Sequence, residues 1–331
     1  GNMSKIGING FGRIGRAFTR LAMDAHLFDV AWVNDLTDAK TLAHLLKYDS
    51  VHGLCKYAFT LKDNELTFED GRKIVFSQIK DPAEIPWKSY GVEVVLESTG
   101  LFLTQDSASK HFVGGAKKVI LSAPANDEEI KTIVLGINGD LIKPEDHVLS
   151  NASCTTNNVA PLIHVILGLS DIQVGHISTI HSYTSDQRLH DAPHKDLRRA
   201  RAAVQAIIPT STGAAKAIVK IFPHLKGKLT GSSVRVPVID GSMTEITLIT
   251  TTPLSVSQIN EAMSLAAKTS LKGILGYTED PIVSCDIIGS TYSCVFDAEL
   301  TMVSGNMVRL VGWYDNEMGY SARLVDLISQ L

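Results

Sequence analysis

What is scarce in this sequence narrows it first. Four cysteines, Cys55, Cys154, Cys285 and Cys294, are scattered through 331 residues. They make no disulfide framework, and neither a CxxC pair nor a Cys-His spacing marks a zinc site, so no metal is expected. Such usage fits a reducing compartment, the cytoplasm. There is no excess of one charge: 31 Lys and Arg face 35 Asp and Glu, for a formal net charge of −4. Nucleic acid and anionic membranes therefore have no electrostatic case as partners. No apolar run is long enough to span a bilayer. Internal repeats and low-complexity tracts are missing too. The opening GNMSKIGINGFGRIG lacks the charged head and apolar core of a secretory signal. Gly1 and Asn2, ahead of Met3, look like a cloning remnant.

What is present is an ordinary globular composition, 44% apolar and 20% charged. The length favours two domains over one core. The first half alternates strand and helix patterns. Residues 4–10 read as a strand running into glycine, and 13–25 as a helix with Ile14, Phe18, Leu21 and Ala22 on one side. A strand at 28–35 and a helix at 39–47 follow. Residues 57–79 hold two alternating runs that look antiparallel and peripheral. The run at 92–99 looks like a buried parallel strand. A helix near 105–113 precedes strands at 117–124 and 132–138. This order argues for a doubly wound α/β sheet.

The character changes near residue 150. TNNVAPLIHVILGL reads as a long helix with Cys154 near its start, and Pro161 allows a kink or a late start. A strand at 171–184 leads into an irregular, charged stretch over 185–212. A helix at 213–223, three long β runs and a helix near 256–268 suggest an α+β part with a large, mostly antiparallel sheet. A closing helix is expected over 318–331.

Gly10, Gly12 and Gly15 form a GxGxxG between the first strand and helix. Glycines there permit a tight turn and close approach of a pyrophosphate to the helix N-terminus. A glycine turn without a ligand is the plain alternative. Asp35 ends the next strand, where a carboxylate accepts from both ribose hydroxyls of an adenosine and repels a 2′-phosphate. NAD is thus favoured over NADP. Asp35 as a helix cap is the rival account, but Asp38 suits that position better.

Cys154 sits in SNASCTTNNVAP, a polar setting for a lone thiol. A buried structural cysteine prefers apolar neighbours, whereas a nucleophilic one wants donors and a base. A helix N-terminus would stabilise its thiolate. His176 and His181 have opposite parity on one strand. His181, at the polar C-terminal end, is the better base, although a satisfied structural histidine stays open. Cys55, Cys285 and Cys294 read as packing residues. A dinucleotide and an activated thiol together suggest an aldehyde oxidised through a thiohemiacetal and a thioester. A backbone N–H at Cys154 or protonated His181 would hold the oxyanion. PTSTGAAKA offers an anion cradle at Ser211, Thr212 and Gly213, and Arg235 stands in an apolar β run. A buried arginine needs an anion, either a ligand or a subunit salt bridge.

INGFGRIGR, SNASCTTN, TIHSYTSDQ, LRRARAA, PTSTGAAKA, VRVPV and WYDNEMGYS, in this order, resemble phosphorylating glyceraldehyde-3-phosphate dehydrogenases of the bacterial-like, NAD-dependent type. The resemblance runs from about residue 4 to 331. It implies a Rossmann-type NAD-binding domain over 3–153, a catalytic domain over 154–317 and a helix, 318–331, returning to the first domain. It implies a homotetramer that acts in glycolysis on glyceraldehyde 3-phosphate and inorganic phosphate. Cys154 matches the nucleophile and His181 the base. Thr184 and Arg235, with Asp186 nearby, match the site for the substrate's phosphate. Ser153, Thr155, Arg199, Thr212 and Gly213 match the site for the attacking phosphate. Gly10, Phe11, Gly12, Arg13 and Ile14 match the pyrophosphate turn, and Asn34 and Asp35 the adenosine contacts. Lys80 falls near the adenine, while Thr99 and Ser122 line the cleft. Asn316 matches the residue that holds the nicotinamide amide, with Tyr320 beside it. Pro193 also matches NAD-dependent members.

Three positions depart from the pattern. Asn158 replaces a second cysteine, which removes one route to a disulfide with the nucleophile. Lys80 stands where relatives often have arginine, and His190 where an aliphatic residue is usual. Two alternatives remain beside this resemblance. One is an erythrose-4-phosphate dehydrogenase, although Thr212 and Gly213 favour phosphorolysis. The other is a fold-retaining binding protein, against which intact Cys154, His181 and Arg235 weigh.

Overall fold

A computed structural model describes residues 3–331, so Gly1 and Asn2, read as a cloning remnant, lie outside the described residues. The chain divides into two compact units. The first runs through Leu135 and adds Gly139–Ala152 and Ser321–Leu331; the second holds Gly136–Asn138 and Ser153–Tyr320.

The first unit opens with strand β1 (Lys5–Asn9), helix α1 (Arg13–Ala25), β2 (Asp29–Asn34) and helix α2 (Ala39–Lys47). Strands β3 (Phe59–Lys62), β4 (Glu65–Phe68), β5 (Lys73–Ser77) and β6 (Val92–Glu97) follow. A short helix α3 (Gln105–Ala108) precedes β7 (Lys118–Leu121), β8 (Lys131–Thr132) and β9 (Val148–Ser150). They form one sheet in the order β3-β4-β5-β2-β1-β6-β7-β9-β8. From β5 to β8 all neighbours are parallel. Of the expected helix face, Phe18 and Ala22 are buried, with Ala17 and Met23; Ile14 and Leu21 are only half-buried. Asp38 caps α2 by accepting from the Thr41 amide. An apolar layer of Trp32, Ile85, Trp87, Val95, Val119 and Leu121 packs in this unit.

Two expectations for this half need correction. Residues 57–79 hold three strands, and the third, β5, joins β2 in parallel instead of staying peripheral. The strand expected at 132–138 stops after Thr132. The chain turns at Gly136, which has φ of +90°. Ile133, Val134 and Leu135 are apolar because they are buried, not because they continue a ladder.

The second unit begins with helix α4 (Cys154–Leu167), then β10 (Ile172–Ser182), β11 (Ile208–Thr210), α5 (Ala214–Ile221), β12 (Leu229–Val236) and β13 (Ser242–Thr250). Helix α6 (Val256–Lys268) and strands β14 (Leu275–Thr278), β15 (Cys294–Asp297), β16 (Met302–Ser304) and β17 (Met307–Tyr314) follow; helix α7 (Met318–Ser329) starts in this unit and from Ser321 onward belongs to the first. The sheet order is β11-β12-β10-β13-β17-β15-β14, with β16 on β17. Pairing is antiparallel except for β10 with β12 and β14 with β15.

Helix α4 starts at Cys154 and runs on through Pro161, so the late start does not occur. The proline's missing N–H costs the bond to Asn157, a loss the buried helix tolerates. The irregular stretch 185–212 contains β11, and the last long β run breaks into β15, β16 and β17. A serine cap at Ser255 with Gln258 reciprocating explains the start of α6.

Alternation along β10 decides what faces the site. Ile177, Thr179 and His181 are buried on one side, and Ile177 lies opposite Ile246 of β13. His176 has the other parity. Its ring nitrogens meet the hydroxyls of Thr230 and Ser232 at 2.7 and 2.9 Å. On the parallel neighbour β12, Arg235 is in register with His181. Adjacent paired residues share a face, so base and guanidinium emerge side by side.

Candidate active site

In the second unit the thiol and the imidazole meet. Cys154 Sγ lies 3.6 Å from His181 Nε2. His181 Nδ1 donates to the Ser182 carbonyl at 2.7 Å, which leaves Nε2 as the lone-pair nitrogen facing sulfur. The Tyr314 ring packs edge-on against the imidazole, centroids 6.0 Å apart. Ser153 caps α4 by accepting from the Thr156 amide. Cys154 is thus the first residue of the helix, where amide donors lack intrahelical partners.

The electrostatics differ from a thiolate resting at a helix end. Burial pushes the Cys154 thiol up; a bond from Thr155, the Arg235 charge and the amides of Thr155 and Cys154 oppose it. His181 is pushed down to about 4, first by burial and then by the Arg235 charge, against the Ser182 carbonyl. At neutral pH the resting pair is therefore a thiol beside a neutral imidazole. The thiolate is generated when a proton crosses to Nε2.

Arg235 Nη1 donates to Thr184 Oγ1 at 2.9 Å and to Gln187 Oε1 at 3.4 Å, both neutral acceptors. Its Nε is buried without a hydrogen bond. Burial and the nearby Arg199 charge lower its pKa. The Arg199 charge is met by Asp186 and Asp196, so of the two guanidinium groups Arg235 is the one that faces neutral acceptors. Asp186, expected near the substrate's phosphate, forms an ion pair with Arg199, and its charge also acts on Arg235. Thr212 Oγ1 accepts from the Ala214 amide at 3.1 Å at the start of α5. A Cβ on Gly213 would meet nothing within 4 Å. The hydroxyls of Ser153 and Thr155 are engaged, one in capping and the other with Tyr314 Oη at 2.8 Å.

Asn316 Oδ1 accepts from Ser182 Oγ, the Gly241 amide and Ser242 Oγ at 3.0, 3.2 and 2.9 Å. These three donors fix the flip of its amide. Tyr320 is buried at the start of α7.

In the first unit a cleft of about 700 Å³ is lined by Gly10, Phe11, Gly12, Asn34, Asp35, Lys80 and Thr99, among others. Gly10 has φ of +95°, and a Cβ there would sit 2.7 Å from the Ser98 backbone. A Cβ on Gly12 would meet nothing. The turn is thus closed to side chains on its inner side and open above, as a pyrophosphate requires. Asp35 Oδ2 accepts from the Phe11 amide at 2.8 Å and Oδ1 from the Thr37 amide at 2.9 Å. Each oxygen keeps a lone pair for a ribose hydroxyl. These residues fit a dinucleotide. Asn34 lines the cleft, but its side-chain amide is committed to Asn9, Ser77 and Ile79. Arg13 pairs with Asp49, and Ser122 Oγ bonds Ser98 Oγ. Ile14 is half-buried in the first turn of α1.

Sequence reasoning missed Gln187 and Tyr314, which hold Arg235 and frame His181. Tyr314 at the end of an apolar strand was a readable signal; Gln187 in an irregular stretch was not. Cys285 is exposed, so it is no packing residue, whereas Cys55 and Cys294 are buried. Among the described residues, no helix is long and apolar enough to cross a membrane.

Comparison with known proteins agrees with this geometry. The family model described as "Glyceraldehyde 3-phosphate dehydrogenase, NAD binding domain" matches residues 4–105, and the one for the C-terminal domain matches 153–316. Glyceraldehyde-3-phosphate dehydrogenase 1 of Bacillus cereus is 51% identical over 331 residues, covering 99% of this chain and 98% of its own length. The Geobacillus stearothermophilus enzyme is 51% identical over 329 residues, with coverages of 99% and 98%. Glyceraldehyde-3-phosphate dehydrogenase 2 of Streptomyces avermitilis is 52% identical over 327 residues, with coverages of 98% and 97%. With both halves of the chain matched in order, this protein belongs to the glyceraldehyde 3-phosphate dehydrogenase family.

Proposed function

We propose that this protein oxidises D-glyceraldehyde 3-phosphate with NAD and inorganic phosphate to 1,3-bisphosphoglycerate. The observation that carries this is the 3.6 Å approach of Cys154 Sγ to His181 Nε2, beside an Arg235 paired only with neutral groups. Arg235 and Thr184 hold the substrate's phosphate and bring its aldehyde carbon over sulfur. His181 Nε2 takes the thiol proton as sulfur bonds to the carbonyl carbon. The imidazolium returns that proton to the alkoxide, which gives the thiohemiacetal. NAD, held by the Gly10–Gly12 turn and Asp35, supplies the hydride acceptor when bound. His181 removes the hydroxyl proton as hydride leaves, and a thioester to Cys154 remains. Phosphate held by Arg199, Thr212 and Gly213 attacks the thioester carbon. The C–S bond breaks, sulfur regains the proton from His181, and the proton of the attacking phosphate is released.

NADH production from glyceraldehyde 3-phosphate, with and without inorganic phosphate and against erythrose 4-phosphate, tests this function. Phosphate-independent oxidation of erythrose 4-phosphate alone would replace it. We place the protein in the cytoplasm, which suits its four free thiols. A homotetramer is supported by the solvent-facing Leu189, Leu197, Val204 and Ile207 of the irregular stretch, which a neighbouring subunit would cover.

The two anion sites act at different steps. Thr212→Ala should keep a first-turnover burst of NADH and shift phosphate dependence to higher concentration. Arg235→Leu should lose the burst at ordinary aldehyde concentrations, since the remote phosphate no longer positions the carbonyl. Rapid-mixing kinetics with sizing chromatography separate this from a structural role for Arg235, which would give misassembly with normal aldehyde affinity. Unchanged phosphate dependence in Thr212→Ala would favour hydrolysis over phosphorolysis.

Cofactor choice rests on Asp35. Asp35→Gly should weaken NAD about tenfold, the scale of a lost hydrogen bond to a charged group, and relax rejection of NADP. Titration with both cofactors measures this. Equal affinities in the unmutated protein would contradict it.

A further inference from the structure

Four adjacent parallel strands of the first unit, β5, β2, β1 and β6, end on Ser77, Asn34, Asn9 and Glu97. Their side chains bond to one another across the sheet. Ser77 Oγ donates to Asn34 Oδ1 at 2.7 Å, Asn34 Nδ2 to Asn9 Oδ1 at 3.0 Å, and Asn9 Nδ2 to Glu97 Oε1 at 2.6 Å. Both ends of this chain are tied to tryptophans. Trp32 Nε1 donates to Ser77 Oγ at 2.7 Å. Trp87 Nε1 donates to His111 Nδ1 at 3.1 Å, so His111 carries its hydrogen on Nε2 and gives it to Glu97 Oε1 at 2.9 Å. Glu97 Oε2 accepts from the amide and hydroxyl of Thr99 at 3.0 and 2.8 Å. Glu97 and His111 are fully buried, and Asn9 and Asn34 nearly so.

A buried carboxyl group ringed by donors is costly unless every donor meets an acceptor. The direction of each bond in this chain is therefore set by its neighbour. Three of the four strand-end residues stand directly before a segment that lines the dinucleotide cleft, Gly10–Gly12 after Asn9, Asp35 after Asn34 and Ser98–Thr99 after Glu97, and Ser77 stands two residues before Ile79 and Lys80. The backbone follows the same ties. Gly10 N donates to the Asn34 carbonyl and Ser98 N to the Asn9 carbonyl, at 2.8 and 2.7 Å.

We propose that this transverse chain, anchored by the Glu97 carboxylate, positions the loops of the cofactor cleft as one unit. Glu97 is a positioning residue: it acts on the dinucleotide through Thr99 and Asn9. This rests on the cleft being the NAD site. Glu97→Gln keeps the shape but turns one oxygen into a donor facing donors. Wherever that amide points, at least one donor that cannot reverse opposes it: His111 Nε2 on one side, the Thr99 backbone N–H on the other.

The experiment measures NAD affinity, kcat at saturating NAD and melting temperature for Glu97→Gln, Ser77→Ala and the double variant. Glu97→Gln should raise the Kd for NAD about tenfold, with kcat within about twofold, the scale of one opposed buried bond. Ser77→Ala, at the far end, should raise it about threefold in the same direction. Sites three strands apart and independent would multiply in the double variant. A connected chain predicts a double variant no weaker than Glu97→Gln alone. Unchanged affinity in a folded Glu97→Gln, or simple multiplication, overturns the proposal. Should Glu97→Gln not fold, unchanged affinity in Ser77→Ala overturns it. Failure of the unmutated protein to bind NAD would instead sink the cofactor assignment.

Discussion

Cys154→Ser is expected to abolish dehydrogenase turnover and leave NAD binding intact. A serine hydroxyl at this position is far less nucleophilic at neutral pH than a cysteine whose proton passes to a facing imidazole. Nucleotide affinity is measured by titration and turnover by NADH formation. Alkylation supplies a second test of the thiol. Cys285 is exposed and Cys154 only half-exposed, so order of labelling does not identify the nucleophile. Loss of activity under iodoacetamide should track modification of the Cys154 peptide, whatever Cys285 does. Full activity with Cys154 fully alkylated would remove the thiol from the chemistry.

His181→Asn is expected to slow hydride transfer by roughly 10²- to 10⁴-fold, the usual worth of a positioned general base. Alkylation of Cys154 at pH 7 should slow as well, because Nε2 no longer takes the thiol proton. The wild-type acid limb of kcat/KM should lie near the His181 pKa of about 4, below that of a free imidazole. The sign is fixed: burial and the Arg235 charge disfavour the protonated ring, so the base stays available as pH falls to that value. Arg235→Leu removes one of the two causes and should move the limb upward. Single-turnover NADH formation unchanged in His181→Asn would exclude His181 from the mechanism.

Local signals in the sequence carried much of this structure. The helices Ala39–Lys47 and Val256–Lys268 stand where their caps, Asp38 and Ser255, and their apolar spacing place them. The parity of His176 and His181 was readable because a strand has a fixed period. Other features had no local mark. The bonds joining Ser77, Asn34, Asn9 and Glu97 link residues far apart in sequence, and each looks like a polar full stop after an apolar strand. Nothing near Arg199 indicates that Asp186 will neutralise it; only the fold of the irregular stretch brings them together. The resting charge of Cys154 was misjudged for a related reason. Helix-end donors are visible in sequence, whereas the burial that opposes them depends on Tyr314 and other side chains from distant strands. The run at 132–138 has the apolar character of a strand but leaves the ladder after Thr132, because burial and ladder formation give the same signal in a short segment.

The parallel pairing of β10 with β12 has a consequence for how this chain can vary. Base and anion anchor are neighbours because eight consecutive backbone pairs, from Gly175 with Leu229 to Ser182 with Val236, hold one register. Slipping that register by a single residue would turn one of them to the opposite face. The connection between the two strands is held by its own bonds, among them Arg188 N to the Arg199 carbonyl and Ala203 N to the Arg188 carbonyl. A change of length within it leaves His181 opposite Arg235, since the ladder and not the loop length sets their separation. Variation in that stretch is therefore limited by what the stretch itself carries, Arg199 above all, while the distance between base and anion anchor is set elsewhere and stays the same.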